Sequence, residues 1–73
     1  MPHSIDLLDK ALRHRQGMTL ADYSRRLHLN RTALNVALYR GKLSPRMAQA
    51  IARDIGEDEQ KWIAIAAMEN RPH

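Results

Sequence analysis

The chain has no cysteine, which excludes disulfides and the usual zinc fingers and fits a reducing cytosol. It has no phenylalanine and one tryptophan, so its core must come mainly from Leu, Ile, Met and Ala. At 73 residues it is one small domain, near the size at which a single core only just suffices. No apolar run approaches the roughly 18 residues of a membrane span, and the N-terminus lacks a signal-peptide pattern. A cytoplasmic protein with no membrane partner is therefore expected. Low-complexity segments and internal repeats are missing as well.

Catalytic signatures are also lacking. There is no Gly-rich phosphate loop, no nucleophile elbow and no carboxylate pair suited to acid–base work. Ser24 and His28 are neighbours on a helix face rather than a dyad. The histidines, His3, His14, His28 and His73, share no ligand spacing with one another or with a cysteine. No enzyme, metal or cofactor is expected.

What is present is helical periodicity, with no competing strand pattern. Ile5, Leu8 and Leu12 share one face of a first helix, roughly from Ser4 to Arg15, which Gly17 ends. Thr19 and Asp22 have the N-cap and N3 spacing of a capping box, so a second helix should start at about Leu20. Its buried stripe is Leu20, Tyr23, Ser24 and Leu27. His28, Leu29 and Asn30 form a tight corner, with Leu29 as its apolar plug and Asn30 as the next N-cap. Leu34, Ala37 and Leu38 give the third helix an inward face, and Gly41 stands where a left-handed C′ residue is wanted. Ser44 and Pro45 are an N-cap followed by proline at N1. The fourth helix buries Met47, Ala48, Ile51, Ala52 and Ile55 and stops at Gly56. A fifth runs over about 57–70, with acids at its start that complement the helix dipole. Two short helices joined by such a corner, the second polar and basic in front, form a helix-turn-helix over about 19–42.

Charge is divided along the chain. Nine Lys or Arg lie between Lys10 and Arg46 against one acid, Asp22, whereas five acids and one Lys lie between Asp54 and Glu69. A basic stretch alone reads as a solvated surface. Its coincidence with the helix-turn-helix points instead to double-stranded DNA, whose phosphates reward cations through counterion release.

The order of five short helices with the motif as the second and third resembles the Cro/cI-type, lambda-repressor-like DNA-binding domains of phage and bacterial regulators. The segment TLADYSRRLHLNRTALNVALYRGK, with its closing Arg40-Gly41-Lys42, carries the resemblance. The segment SPRMAQAIARDIGEDEQKWIAIAAME is similar both to small prophage or filamentous-phage repressors and to HigA-type antitoxins. The resemblance implies an all-α, compact five-helix domain spanning 1–73. Three positions depart from the family pattern. His28 stands where a glycine is usual and positive φ is wanted. Leu20 stands where a glutamine often braces the DNA backbone, and Ser24 replaces a more common alanine.

Family position and side-chain direction together assign roles. Arg31, Thr32 and Asn35, with Val36 beside them, occupy the exposed early positions that reach base edges. Arg31 suits a guanine, Asn35 an adenine, and Thr32 or Val36 a thymine methyl. Arg31 reads equally as a phosphate contact, and Val36 equally as packing against a neighbouring helix. Thr19, Tyr39, Arg40, Lys42, Ser44 and Arg46 are the expected backbone anchors. Arg25 and Arg26, on the outer face of the second helix, read as solvated, with a phosphate contact as the alternative for one of them.

The run WIAIAAM, from Trp62 to Met68, is apolar around the whole helix. One side must cover the core, and a two-fold partner is the simplest cover for the other. Trp62, Ile63, Ala66 and Ala67 are the candidates for shared core and homodimer interface; the alternative is packing entirely within one chain. The expected function is a sequence-specific transcriptional regulator, a phage or prophage repressor acting as a homodimer on a palindromic operator in the bacterial nucleoid. No separate sensing domain is expected at this length. The alternative is an antitoxin that binds a toxin and autoregulates its operon, or a related protein that binds another regulator.

Overall fold

The computed structural model describes residues 2–71 and contains five α-helices. They are α1 (Ser4–His14), α2 (Leu20–Arg26), α3 (Arg31–Arg40), α4 (Pro45–Ile55) and α5 (Glu59–Glu69). Met1, Pro72 and His73 lie outside the described residues.

Each helix after the first begins on a side-chain oxygen that accepts an otherwise orphaned N–H. Thr19 Oγ1 accepts from Asp22 N at 3.1 Å and Asn30 Oδ1 from Thr32 N at 2.8 Å. Ser44 Oγ accepts from Met47 N and Asp58 Oδ1 from Lys61 N, both at 3.2 Å. A cap of this kind is worth about 1 kcal/mol. Of the capping box expected at α2, the Thr19 side-chain bond is made, and the Asp22 carboxylate also accepts from Arg25.

Three helices end in the same left-handed turn. Gly41 closes α3 at φ 74°, with Lys42 N donating to Ala37 O, and Gly56 closes α4 at φ 75°, with Glu57 N donating to Ala52 O. At the end of α2, Leu29 N donates to Ser24 O at 2.8 Å and His28 N donates to Arg25 O at 3.2 Å. That is the Schellman pattern, and its C′ residue is His28 at φ 56°, the one described non-glycine residue with positive φ. The strained position expected at His28 is therefore observed.

The boundaries differ slightly from expectation. α1 ends at His14, so Gly17 lies in the following turn rather than at the helix end. α5 starts at Glu59, because Asp58 is used as its cap. The corner between α2 and α3 is residues 27–30, one longer than expected, because Leu27 has already left helical geometry.

α4 packs most extensively on α5, α1 packs on both, and α2 packs on α3. The core joins these pairs. Leu7, Leu8 and Ala11 of α1 meet Ala48, Ile51 and Ala52 of α4 and Trp62 and Ala66 of α5. Tyr23 of α2, Leu34 and Ala37 of α3, and Leu43 of the α3–α4 link enter the same cluster. One inward expectation fails: Leu38 is 40% exposed. It follows Arg31 by seven residues, nearly two full turns, and so shares that residue's outward direction rather than that of Leu34 and Ala37. Among the described residues, no helix is long and apolar enough to cross a membrane.

Candidate functional site

The outer surface of α3 gathers the four residues expected at base edges. Arg31, Thr32, Asn35 and Val36 are all exposed. Arg31, Asn35 and Tyr39 recur every four residues, as do Thr32, Val36 and Arg40. Two adjacent outward stripes result, because residues four apart stack on a helix. Tyr39 is 94% exposed, so nothing in the domain core claims its ring. Val36 is 47% exposed and lines a shallow groove with Ala33, Arg40, Lys42, Ser44 and Met47. It does not pack into the core.

The expected anchors fall into two groups. Arg40, Arg46 and Tyr39 are exposed, with no side-chain hydrogen bond among the described residues. Thr19, Ser44 and Lys42 are already engaged. The first two cap α2 and α4. Lys42 Nζ donates to Glu69 O at 3.2 Å, at the carbonyl end of α5 where a cation is favoured.

The link after α3 is held from both chain ends. Leu43 N donates to the buried Ser4 Oγ at 2.7 Å, and Leu43 O accepts from Asn70 Nδ2 at 2.8 Å. Ser4 N donates in turn to Glu69 Oε1 at 3.0 Å. These bonds satisfy a buried peptide group, which would otherwise cost about 1–3 kcal/mol. They also fix the exit of α3, and with it the start of α4 and Arg46.

Electrostatics sharpen the surface further. Of the nine cations between Lys10 and Arg46, four meet carboxylates. Lys10 pairs with Glu57 at 2.8 Å, Arg25 with Asp22, and Arg15 and Arg26 both with Asp54, at 3.3 and 2.9 Å. Arg25 and Arg26 are thus ion-paired rather than simply solvated. Arg13, Arg31, Arg40 and Arg46 have no carboxylate partner among the described residues. Arg31 and Arg40 stand at the two ends of α3, a helix that contains no acid, and Arg46 stands in the first turn of α4.

Asp54 is the centre that sequence reasoning missed. It accepts from Arg15 Nε and Nη2, Tyr23 Oη and Arg26 Nε, so one carboxylate ties α2 and the end of α1 to α4. Burial pushes its pKa up, but the bonds from Arg26, Tyr23 and Arg15 outweigh that and hold it below the ordinary 3.8. Burial, and then the adjacent Asp54 carboxylate, push the Tyr23 hydroxyl well above its ordinary value. A signal for Asp54 does exist in the sequence. An acid in the last turn of a helix opposes the dipole, which marks a residue kept there for a tertiary partner. At the surface, the hydrogen bond from Arg25 lowers the Asp22 pKa, and that from Lys10 lowers the Glu57 pKa.

The candidate interface residues on α5 divide by direction. Trp62 and Ala66 are buried in the core of their own chain, with Trp62 Nε1 donating to Glu57 Oε1 at 3.2 Å. Ile63 is half-buried and Ala67 exposed. Met68, 63% exposed, lies on the outer side with Ala64 and Ala67.

No protein-family model, curated protein or solved structure matches the chain.

Proposed function

We propose that this chain is a sequence-specific, double-stranded DNA-binding transcriptional regulator, with residues 19–42 as a Cro/cI-type helix-turn-helix and α3 as its recognition helix. It acts as a repressor, of the phage or prophage kind, when it occupies a promoter. The observation that carries this reading is the pattern of unpaired cations. Acidic partners cover Lys10, Arg15, Arg25 and Arg26, while Arg31, Arg40 and Arg46 stay open around an acid-free helix. Between those cations stand Thr32, Asn35 and Val36, side chains suited to base edges. Open guanidiniums hold phosphates and set the register; the short side chains between them read sequence.

A homodimer fits the same account. Two α3 helices related by a two-fold axis would meet half-sites about one DNA turn apart. Ile63, Ala64, Ala67 and Met68 offer an apolar outer side of α5 for that contact, whereas Trp62 and Ala66 belong to the core. Gel retardation and anisotropy over a salt series test the reading. Duplex DNA is expected to be bound at low salt, with log K falling linearly against log salt at about 0.9 per phosphate held. No retardation of any duplex at low salt would remove DNA binding from the account.

A further inference from the structure

Not every guanidinium on the basic half of the chain is available to a phosphate, and the geometry around Asp54 decides which are. We infer that Asp54 is a positioning residue of the proposed DNA reader: it withholds Arg15 and Arg26 from the DNA backbone and so limits the phosphate grip to the cations that no carboxylate holds. This inference rests on the DNA-binding reading above.

Arg26 lies on the helix that precedes the recognition helix, and with 43% of its side chain exposed it has the reach to leave the surface. Its Nε nevertheless donates to Asp54 Oδ1 at 2.9 Å. Arg15 approaches from the end of α1, with Nε 3.3 Å from Oδ2, Nη2 3.3 Å from Oδ1 and Nη2 3.4 Å from the Asp54 carbonyl oxygen. The Tyr23 hydroxyl, fully buried, fixes the remaining direction at 3.0 Å. The carboxylate itself is only 8% exposed, so water screens these pairs far less than it screens the surface pair of Arg25 and Asp22. To hold a phosphate, Arg26 would have to leave a sheltered, charge-assisted bond and leave a nearly buried anion to Arg15 and Tyr23 alone.

The consequence is a division of affinity. Phosphate contacts add binding to every sequence alike, whereas base contacts add it to one. A domain that let all its cations grip the backbone would bind every duplex more tightly and respond more steeply to salt. Holding Arg15 and Arg26 on Asp54 lowers the sequence-independent share and leaves the base-reading surface of α3 unchanged.

The test is the salt dependence of binding to a random duplex and to the selected site, measured for the full chain and two variants. Arg26→Gln should bind with the wild-type salt slope, because Arg26 holds no phosphate. Asp54→Asn, checked for helicity by circular dichroism at low temperature, should steepen the slope by about 1 to 2 as the freed guanidiniums engage phosphates. It should raise affinity for the random duplex and for the selected site by a similar factor, leaving their ratio unchanged. A structural role alone would lower the fraction folded without steepening the slope. Should Asp54→Asn fail to fold, Arg26→Gln decides. A slope flattened by about 1 in Arg26→Gln, or unchanged in a folded Asp54→Asn, overturns the inference while leaving DNA binding intact. No DNA binding by the wild-type chain overturns both.

Discussion

The hydroxyl of Tyr23 donates to Asp54 Oδ2 at 3.0 Å, joining the one aromatic residue of α2 to the last turn of α4. Around this bond Arg15 and Arg26 complete the coordination of a single carboxylate. Removing the hydroxyl in Tyr23→Phe leaves the ring's packing in place and should cost about 1.5–3 kcal/mol, as for a hydrogen bond to a charged group. The Asp54 pKa is held below 3.8 in the folded protein, so folding favours its ionised form. Its contribution is complete above the unfolded value and is lost as pH falls through the lower, folded value. Urea denaturation across the acid range should show wild-type stability falling below about pH 4, the ordinary aspartate range. Asp54→Asn should be less stable at neutral pH and show a shallower fall in acid. An acid transition of the same steepness in both proteins would mean that Asp54 is not the responsible group.

His28 holds a left-handed C′ position that glycine fills at the ends of α3 and α4. Its imidazole is exposed and makes no side-chain hydrogen bond among the described residues that would offset the strain. His28→Gly should therefore stabilise the domain by about 0.5–1 kcal/mol, the backbone relief exceeding glycine's entropy cost. In a domain of this size that is a rise in Tm of about 2–8 °C. A lower Tm would show that the imidazole makes a compensating contact.

Arg31 begins α3 with no carboxylate partner, so its removal should leave stability nearly unchanged. Arg31→Ala should weaken binding to the preferred site by about 1–3 kcal/mol and relax the choice at one base pair. Loss spread equally over specific and random duplexes would make Arg31 a phosphate contact instead.

Ala67 is exposed on α5, away from Trp62 and Ala66, so a charge there spares the core. Ala67→Glu should keep the wild-type circular dichroism spectrum, shift sedimentation from dimer to monomer and abolish cooperative occupation of two half-sites. A wild-type chain that sediments as a monomer at high micromolar concentration would exclude the homodimer.

Much of the fold was legible because local chemistry and tertiary packing agree. Thr19, Asn30 and Ser44 all cap helices, and Gly41 and Gly56 both take left-handed geometry. His28 was recognisable as a strained position because the corner needs positive φ whatever residue fills it. Leu38 was misplaced because a helix seven residues on has turned back almost to Arg31, and periodicity alone does not locate the edge of the buried face. The pairs of Asp54 with Arg15, Tyr23 and Arg26 span 28 to 39 residues, so no local pattern could match the partners. The exposure of Arg31, Thr32, Asn35 and Val36 followed from helical phase, but the pairing of Arg25 and Arg26 with carboxylates did not.

The most direct measurement is selection of binding sites from a random DNA pool with the full chain. The account predicts a palindromic consensus whose half-sites are about 10 base pairs apart centre to centre, and whose strongest positions lose definition in Arg31→Ala and Asn35→Ala. A pool that stays random after repeated rounds, or a consensus indifferent to both substitutions, would contradict α3 as the reader of sequence.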